Sequence, residues 1–409
     1  MLKRISVSDL RTGMFVQELC GSWMDHPFWR AKFVLKDPGD LARIQKSAVK
    51  ELWIDASRGD DVALEVEART EKDVREEVEQ ELEFLASMPM PLLDEAEISA
   101  VEQAAVLYRK SRPQMLSMFN EARLGRAVNA DNCLPLVEEI SKSVMDNPGA
   151  LISIVRLKGS DEYTYMHSVA VCALMVALAR QLNLGPKAVR EAGLAGMLHD
   201  LGKALMPQSV LNKPGKLTDE EHAIMKTHPQ RGHAMLLDGA SVSAAVLDVC
   251  LHHHEKVDGS GYPHRLRGEQ INLLTKMGAV CDVYDAITSR RPYKDAWDPG
   301  DALRKMAQWK GHFDTVVFQA FVKTVGIYPV GSLVRLQSGR LAVVTEQSTH
   351  SLLKPKVNVF YNTSTGRRVL PELIDLGGPW CQDKVVSCED PERWGFTDLD
   401  KLWGAPDLK

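Results

Sequence analysis

The chain has 409 residues, of which 44% are hydrophobic and 26% charged, and a formal net charge of −5. At about 150 residues per domain this length implies two or three domains, and the composition excludes wholesale disorder, a collagen-like fibre and a disulfide-stapled miniprotein. The acidic balance argues against a dedicated DNA or RNA binder, so no DNA partner is expected. The longest apolar stretch, Val169 to Ala179, is too short to span a bilayer, and the opening residues MLKRISVSDL lack the apolar run of a signal peptide. Seven cysteines, an odd number with no CxxC pair among them, read as reduced thiols in a cytoplasmic protein.

Residues 1–70 carry short apolar runs at Ile5–Val7, Met14–Val16, Phe33–Leu35 and Leu52–Ile54, separated by Gly, Asp and Pro. That pattern predicts a small β-rich or α+β domain. From Asp61 to Glu83 there are ten acids against three bases, with Val74, Val78, Leu82 and Leu85 forming one apolar stripe at helical spacing. Residues 71–98 are therefore expected to form an acidic helical linker, whose stripe offers a face on which two copies could pair as a homodimer. Ser99 and Glu102 make a capping box that opens a helical domain over 99–329. Within it, Val169, Cys172, Ala173, Val176 and Ala177 follow helical spacing, and the opposite face is apolar too, which predicts a buried helix. A second capping box, Thr218 with Glu221, starts the helix that leads to His228. Residues 330–409 return to strands, at Leu333–Leu336, Leu341–Thr345 and Val357–Tyr361, and the tail from Gly377 is rich in Gly, Pro, Trp and charge. The fold class expected is mainly α, with a small β-rich domain before the helical domain and a short β-rich extension after it.

The twelve histidines are clustered. Most fall between His167 and His264, including His167, His199-Asp200, His228 and His252-His253-His254-Glu255, with Asp282 following. Imidazoles plus carboxylates suit a borderline divalent metal such as Fe, Mn or Zn, and a cluster without cysteine disfavours a structural zinc site. His199-Asp200 closes the apolar run Ala192–Leu198, with Gly202 as an expected left-handed cap, so both side chains can enter one cavity while the helix behind them stays packed. An aspartate can bridge two ions, and two ions about 3.5–4 Å apart can activate a water and stabilise a phosphoryl displacement. Each residue alone is a weak signal: His167 could be a satisfied core histidine, the HHHE run a solvated helix end and Asp282 a turn cap. The loop Asp258-Gly-Ser-Gly-Tyr262-Pro263 follows directly, rich in turn formers. It fails as a GxGxxG nucleotide loop because His264 holds the third position, and HExxH fails because Asp258 stands where the second His belongs. No GxxxxGK[ST] loop is present either.

Three motifs in order, His199-Asp200-Leu-Gly-Lys203, His253-His254-Glu255-Lys-Val-Asp258-Gly-Ser-Gly-Tyr262-Pro263 and Asp282-Val-Tyr-Asp285-Ala-Ile-Thr-Ser-Arg-Arg291-Pro-Tyr-Lys294, resemble the HD-GYP phosphodiesterase family. This is a bacterial branch of the HD metal-dependent phosphohydrolases that hydrolyses cyclic di-GMP. The resemblance covers roughly residues 150–330. Residues 1–70 resemble an uncharacterised domain often fused ahead of HD-GYP domains.

The resemblance implies an all-helical catalytic domain and two divalent metal ions, with Fe or Mn favoured. One ion would take His167, His199, Asp200 and Asp282; the other would share Asp200 and add His228, His253 and His254. Asp200 and Lys203 would be the catalytic pair, with Lys203 facing the bridging hydroxide and scissile phosphate. Lys203, Tyr262, Arg291 and Lys294 would contact substrate, Tyr262 in the signature loop packing against and supporting the site more than transferring a proton, and Arg291 with Lys294 would grip phosphate or guanine. Where some family members place a third-metal Glu, this chain has Tyr163, which favours two metals over three. The expected reaction is hydrolysis of cyclic di-GMP to linear pGpG, with GMP as a second-cut product. Other readings stay open: an HD phosphohydrolase of another cyclic nucleotide, a metal-dependent cyclic dinucleotide receptor, or a module docking diguanylate cyclase (GGDEF) proteins.

Overall fold

The computed structural model describes residues 2–20, 32–47, 49–62, 68–70, 99–125, 129–146, 163–213, 217–239, 242–289, 297–348, 351–396 and 398–403, with Lys72, Asp73, Glu76, Gln80, Gly149 and Gly215 between them. The apolar stripe Val74–Leu85 expected to pair helices lies outside the described residues. Two compact units emerge: Met1–Phe84 with Arg304–His312, and Leu85–Leu303 with Phe313–Lys409. No described helix is long and apolar enough to cross a membrane.

In the first unit, β1 (Leu2–Ser6), β2 (Phe15–Leu19), β3 (Phe33–Val34), β4 (Glu51–Asp55) and β5 (Arg69–Thr70) form an antiparallel sheet in the order β3-β2-β4-β1-β5. The alternation predicted along these runs is what lets one face bury Ile5, Val16, Leu52 and Ile54. Helix α1 (Pro38–Lys46) covers that face through Ile44; Asp37 caps it by accepting from the Gly39 N–H, and Pro38 supplies the first-turn φ. Arg4 is buried and donates through Nη2 to Glu51 Oε2 (2.5 Å) and to the Gln308 carbonyl (2.6 Å), so its charge is both paired and hydrogen-bonded.

Up to Val325, the described elements of the second unit are α-helices and short 3₁₀ turns. Besides the single turn Gln208–Leu211, its described helices are α2 (Ser99–Arg123), α3 (Leu134–Asp146), α4 (Tyr163–Gln181), α5 (Pro186–Leu198), α6 (Asp219–Met225), α7 (His228–Gly239), α8 (Ala244–His252), α9 (Leu273–Thr288), α10 (Pro299–Gln308, which the first unit shares from Arg304) and α11 (Thr315–Val325). Helix α4 is the buried one: every residue from Val169 to Ala179 is at most 5% exposed, so it is enclosed on all sides. It packs against α5, α9 and α11, and at about 1.5–3 kcal/mol for each fully buried large apolar side chain this contact anchors the bundle. Polar caps set the ends of the surrounding helices. Ser243, Asn272 and Asp314 each accept a backbone N–H of the first turn, and the Thr218–Glu221 capping box is complete. That box opens α6, which stops at Met225; His228 therefore begins a new helix instead of ending the capped one.

After α11, β6 (Leu333–Leu336), β7 (Arg340–Glu346), β8 (Lys356–Asn362), β9 (Arg367–Asp375) and β10 (Val385–Cys388) make a second antiparallel sheet ordered β10-β6-β7-β8-β9. The first three coincide with the predicted strands. All seven cysteines are free thiols.

Candidate metal centre

Three helix ends and two helix faces meet inside the second unit. His167 comes from α4, His199 is the C-terminal cap of α5 with Asp200 next, His228 opens α7, His253 and His254 follow α8, and Asp282 lies on α9. All seven side chains are buried. Gly202, expected as a left-handed cap, is instead inside a 3₁₀ turn, Leu201–Leu205. Its requirement is space. A Cβ there would lie 1.9 Å from the His228 carbonyl oxygen and 2.6 Å from the Gly232 nitrogen, so only glycine lets α7 bring His228 against Asp200.

The backbone decides which imidazole nitrogen faces inward. His199 Nδ1 donates to the Gly196 carbonyl (2.8 Å), His228 Nδ1 to Met225 (2.8 Å), and His253 Nδ1 to Val249 and Cys250 (3.1 Å each). His167 Nδ1 donates to Asp285 Oδ2 at 2.6 Å. A carbonyl can only accept, so in neutral rings the Nε2 lone pairs point into the cavity. There they converge: His167 and His199 Nε2 are 3.3 Å apart, as are His228 and His253 Nε2. Lone pairs this close repel unless a cation lies between them.

Asp200 stands between the two pairs. Its Oδ2 lies 3.4 Å from both His167 Nε2 and His199 Nε2, and its Oδ1 is 3.1 Å from His228 Nε2 and 3.8 Å from His253 Nε2. Oδ1 is buried with no hydrogen bond among the described residues, and so is His254 Nε2. Asp282 Oδ1 is 2.9 Å from His167 Nε2, and its Oδ2 is 3.6 Å from His254 Nδ1. Three groups have donor atoms mutually within 4.8 Å: His167–His199–Asp282, His228–His253–His254, and His199–Asp200–His253 between them. This donor set fits divalent cations.

Electrostatics agree with that fit. Burial alone would raise the Asp200 carboxyl, yet the Lys203 ammonium bonded to Oδ2 and the neighbouring imidazoles hold it well below the usual range. Asp282 is likewise held down against burial, chiefly by His167 and His254. Burial, and then the charges of His199 and His228, push His253 down to about 3, and burial followed by His253 pushes His254 well below its ordinary value. His199 goes the other way, because Asp200 outweighs its burial. A metal requires anionic carboxylates and neutral imidazoles, which the shifts of Asp200, Asp282, His253 and His254 favour and that of His199 does not.

Lys203 is part-buried with its ammonium on Asp200. Tyr262 stacks on His254, with ring centroids 4.8 Å apart and planes 26° from parallel. Arg291 and Lys294 lie outside the described residues, and so does the side chain of Tyr163. Cys250 and Cys281, neighbours in sequence of His252 and Asp282, are buried thiols raised by desolvation and belong to none of the donor groups. Two residues stand in the sequence motifs without the partners that the fold gives them. Asp285, three residues after Asp282 on the same helical face, was quoted only as part of a motif; the DxxD spacing was its signal. Glu255, 2% exposed, accepts from the backbone N–H groups of His264 (2.6 Å) and Leu266 (3.0 Å).

Comparison with known proteins places the chain. Residues 2–133 match the domain of unknown function DUF3391, and residues 142–317 match the HD domain. The chain is 54% identical over 408 residues to a cyclic di-GMP phosphodiesterase of Pseudomonas aeruginosa, covering 98% of this chain and 96% of that one. It is 43% identical over 219 residues to a cyclic di-GMP phosphodiesterase response regulator of Xanthomonas campestris pv. campestris, covering 53% of this chain and 57% of the relative. A 3′3′-cGAMP-specific phosphodiesterase of Vibrio cholerae is 33% identical over 191 residues, covering 46% and 42% respectively. With histidine–aspartate donors converging in an HD domain, and near-full-length similarity to such a relative, the chain belongs to the HD-GYP cyclic di-GMP phosphodiesterase family.

Proposed function

We propose that the chain hydrolyses cyclic di-GMP to linear pGpG, with GMP as the product of a second cut, at a centre of two divalent ions, Fe or Mn favoured. The observation that carries this reading is the division of Asp200: one carboxylate oxygen faces His167 and His199, the other His228 and His253. One ion would be held by His167, His199, Asp200 and Asp282, the other by Asp200, His228, His253 and His254. Bound there, divalent ions supply an acidified water and charge neutralisation for phosphoryl displacement.

The chain's own groups do the rest. The Nδ1 hydrogen bonds lock four of the rings, so the donors are pre-oriented and little reorganisation accompanies the reaction. Lys203, anchored on Asp200, presents a cation where the phosphodiester gains charge. Tyr262, stacked on His254, offers a ring against which the substrate can rest. Arg291 and Lys294 remain the proposed grip on phosphate or guanine. A second reading, a mixed cyclic dinucleotide as substrate, is supported by the 33% identical 3′3′-cGAMP-specific relative.

The test is chromatography of products after incubating the purified chain and Asp200→Ala with cyclic di-GMP or 3′3′-cGAMP, each with Mn²⁺. Linear pGpG formed from cyclic di-GMP by the unsubstituted chain alone is the expected result. Hydrolysis of 3′3′-cGAMP only would move the assignment to the second reading, and nucleotide binding without product would overturn the enzymatic one.

A further inference from the structure

Four of the five imidazoles at the centre have Nδ1 committed to an acceptor, as described above; His254 is the exception. Its Nε2 is buried without a hydrogen bond among the described residues, and its Nδ1 lies 3.6 Å from Asp282 Oδ2, beyond hydrogen-bond length. What touches the ring flat-on is Tyr262.

The loop that carries Tyr262 is itself pinned. The Tyr262 N–H donates to the His254 carbonyl at 3.2 Å. Gly261 has no room for a side chain, since a Cβ would lie 2.4 Å from the Lys256 nitrogen and 2.5 Å from Glu255 Cα. Beyond Pro263, the buried Glu255 carboxylate accepts from the backbone N–H groups of His264 and Leu266. A second brace runs behind it. His264 Nδ1 donates to His252 Nε2, and His252 Nδ1 donates to Asp248 Oδ1, both at 2.8 Å. Asp248 Oδ2 accepts from Thr275 Oγ1 (2.7 Å) and Asn272 Nδ2 (2.5 Å), and Asn272 caps α9, the helix of Asp282.

We propose that Tyr262 is the positioning residue of His254: its stacked ring fixes the imidazole where the other four use a hydrogen bond, and the Glu255 clamp keeps that ring in place. The signature loop thereby acts on the metal centre through one ligand. This rests on the metal-centre reading above.

The test is calorimetric titration of the metal-stripped full chain with Mn²⁺, comparing it with Tyr262→Phe, Tyr262→Ala and Glu255→Gln, alongside thermal melts of each. The unsubstituted chain binds two equivalents. Tyr262→Phe keeps the stack and both affinities, whereas Tyr262→Ala and Glu255→Gln weaken one ion by about 10–100-fold and leave the other unchanged. The Tyr262 pair decides the matter even where Glu255→Gln cannot be purified. Unchanged affinities in Tyr262→Ala, equal weakening of both ions, or a Tyr262→Phe as weak as Tyr262→Ala overturns the proposal. An unsubstituted chain that takes up no Mn²⁺ overturns the metal-centre reading itself.

Discussion

Replacing Gly202 with alanine perturbs the centre without touching a donor atom. The added Cβ would lie 1.9 Å from the His228 carbonyl oxygen, and real Cβ contacts below 3.0 Å essentially do not occur, so main chain must retreat by about 1 Å. Overpacking costs about 1–3 kcal/mol, and here backbone rather than a flexible side chain has to move, so the upper end applies. At about 2–4 °C per kcal/mol for a domain of this size, the melting temperature should fall by about 6–12 °C. The same displacement carries His228 Nε2 away from Asp200 Oδ1, now 3.1 Å distant, and a misplacement of about 1 Å can cost about 100-fold in rate. Gly232→Ala is the internal comparison. Its Cβ would meet the Gly202 nitrogen at 2.9 Å and Cys250 Sγ at 3.0 Å, a milder conflict that should cost less than half as much. Differential scanning fluorimetry and initial rates of product formation read both effects. A Gly202→Ala chain that melts within about 2 °C of the parent and turns over normally would show that the close approach of α7 does not depend on glycine at this position.

Asp285→Asn keeps the shape of the partner of His167 Nδ1 but removes its charge, so the Mn²⁺ affinity of one ion should drop by about 10–100-fold in a calorimetric titration; two ions bound as tightly as in the parent would count against an orienting role. Lys203→Met should lower the turnover number by about 10²–10³ while Mn²⁺ binds as tightly or more tightly, because a cation beside Asp200 has been removed; weaker Mn²⁺ binding would contradict this. In the metal-stripped chain, His253 is lowered by burial from 6.5 to about 3, so its contribution to stability is complete above pH 6.5 and is lost as pH falls towards 3. His254 acts in the same direction and His199 in the opposite one, so the balance favours acid destabilisation. Melts at about pH 7.5 and about pH 5.5 should show the lower temperature at the acid value, and an equal or higher one would contradict the balance.

Much of this was legible because chemistry and periodicity reinforced one another. The buried helix around Val169–Ala179 announced itself by being apolar on both faces, and strands β6 to β8 by short apolar runs between turns. Every residue that the resemblance implies as a metal ligand belongs to the converging set; alone the His-Asp and His-His pairs are weak signals, and it is their order with the signature loop that singles them out. Strands β9 and β10 were not legible. The run Arg367–Asp375 is an edge strand, mostly exposed and interrupted by Pro371, so neither alternation nor β-propensity marks it. Gly202 was misread because a glycine after a helix usually signals a left-handed cap, whereas this one is dictated by a neighbour 26 positions away that only the fold supplies. Glu255 was hidden for a related reason: its partners are backbone N–H groups, which carry no residue signature.

The central claim is that Asp200 serves two ions and that diester cleavage needs both. The most direct measurement is the rate of pGpG formation from cyclic di-GMP as Mn²⁺ is added stepwise to the metal-stripped chain. Negligible product is expected through the first equivalent, with activity that rises with the second. Full activity at one equivalent, or none at saturation with two ions bound, would contradict it.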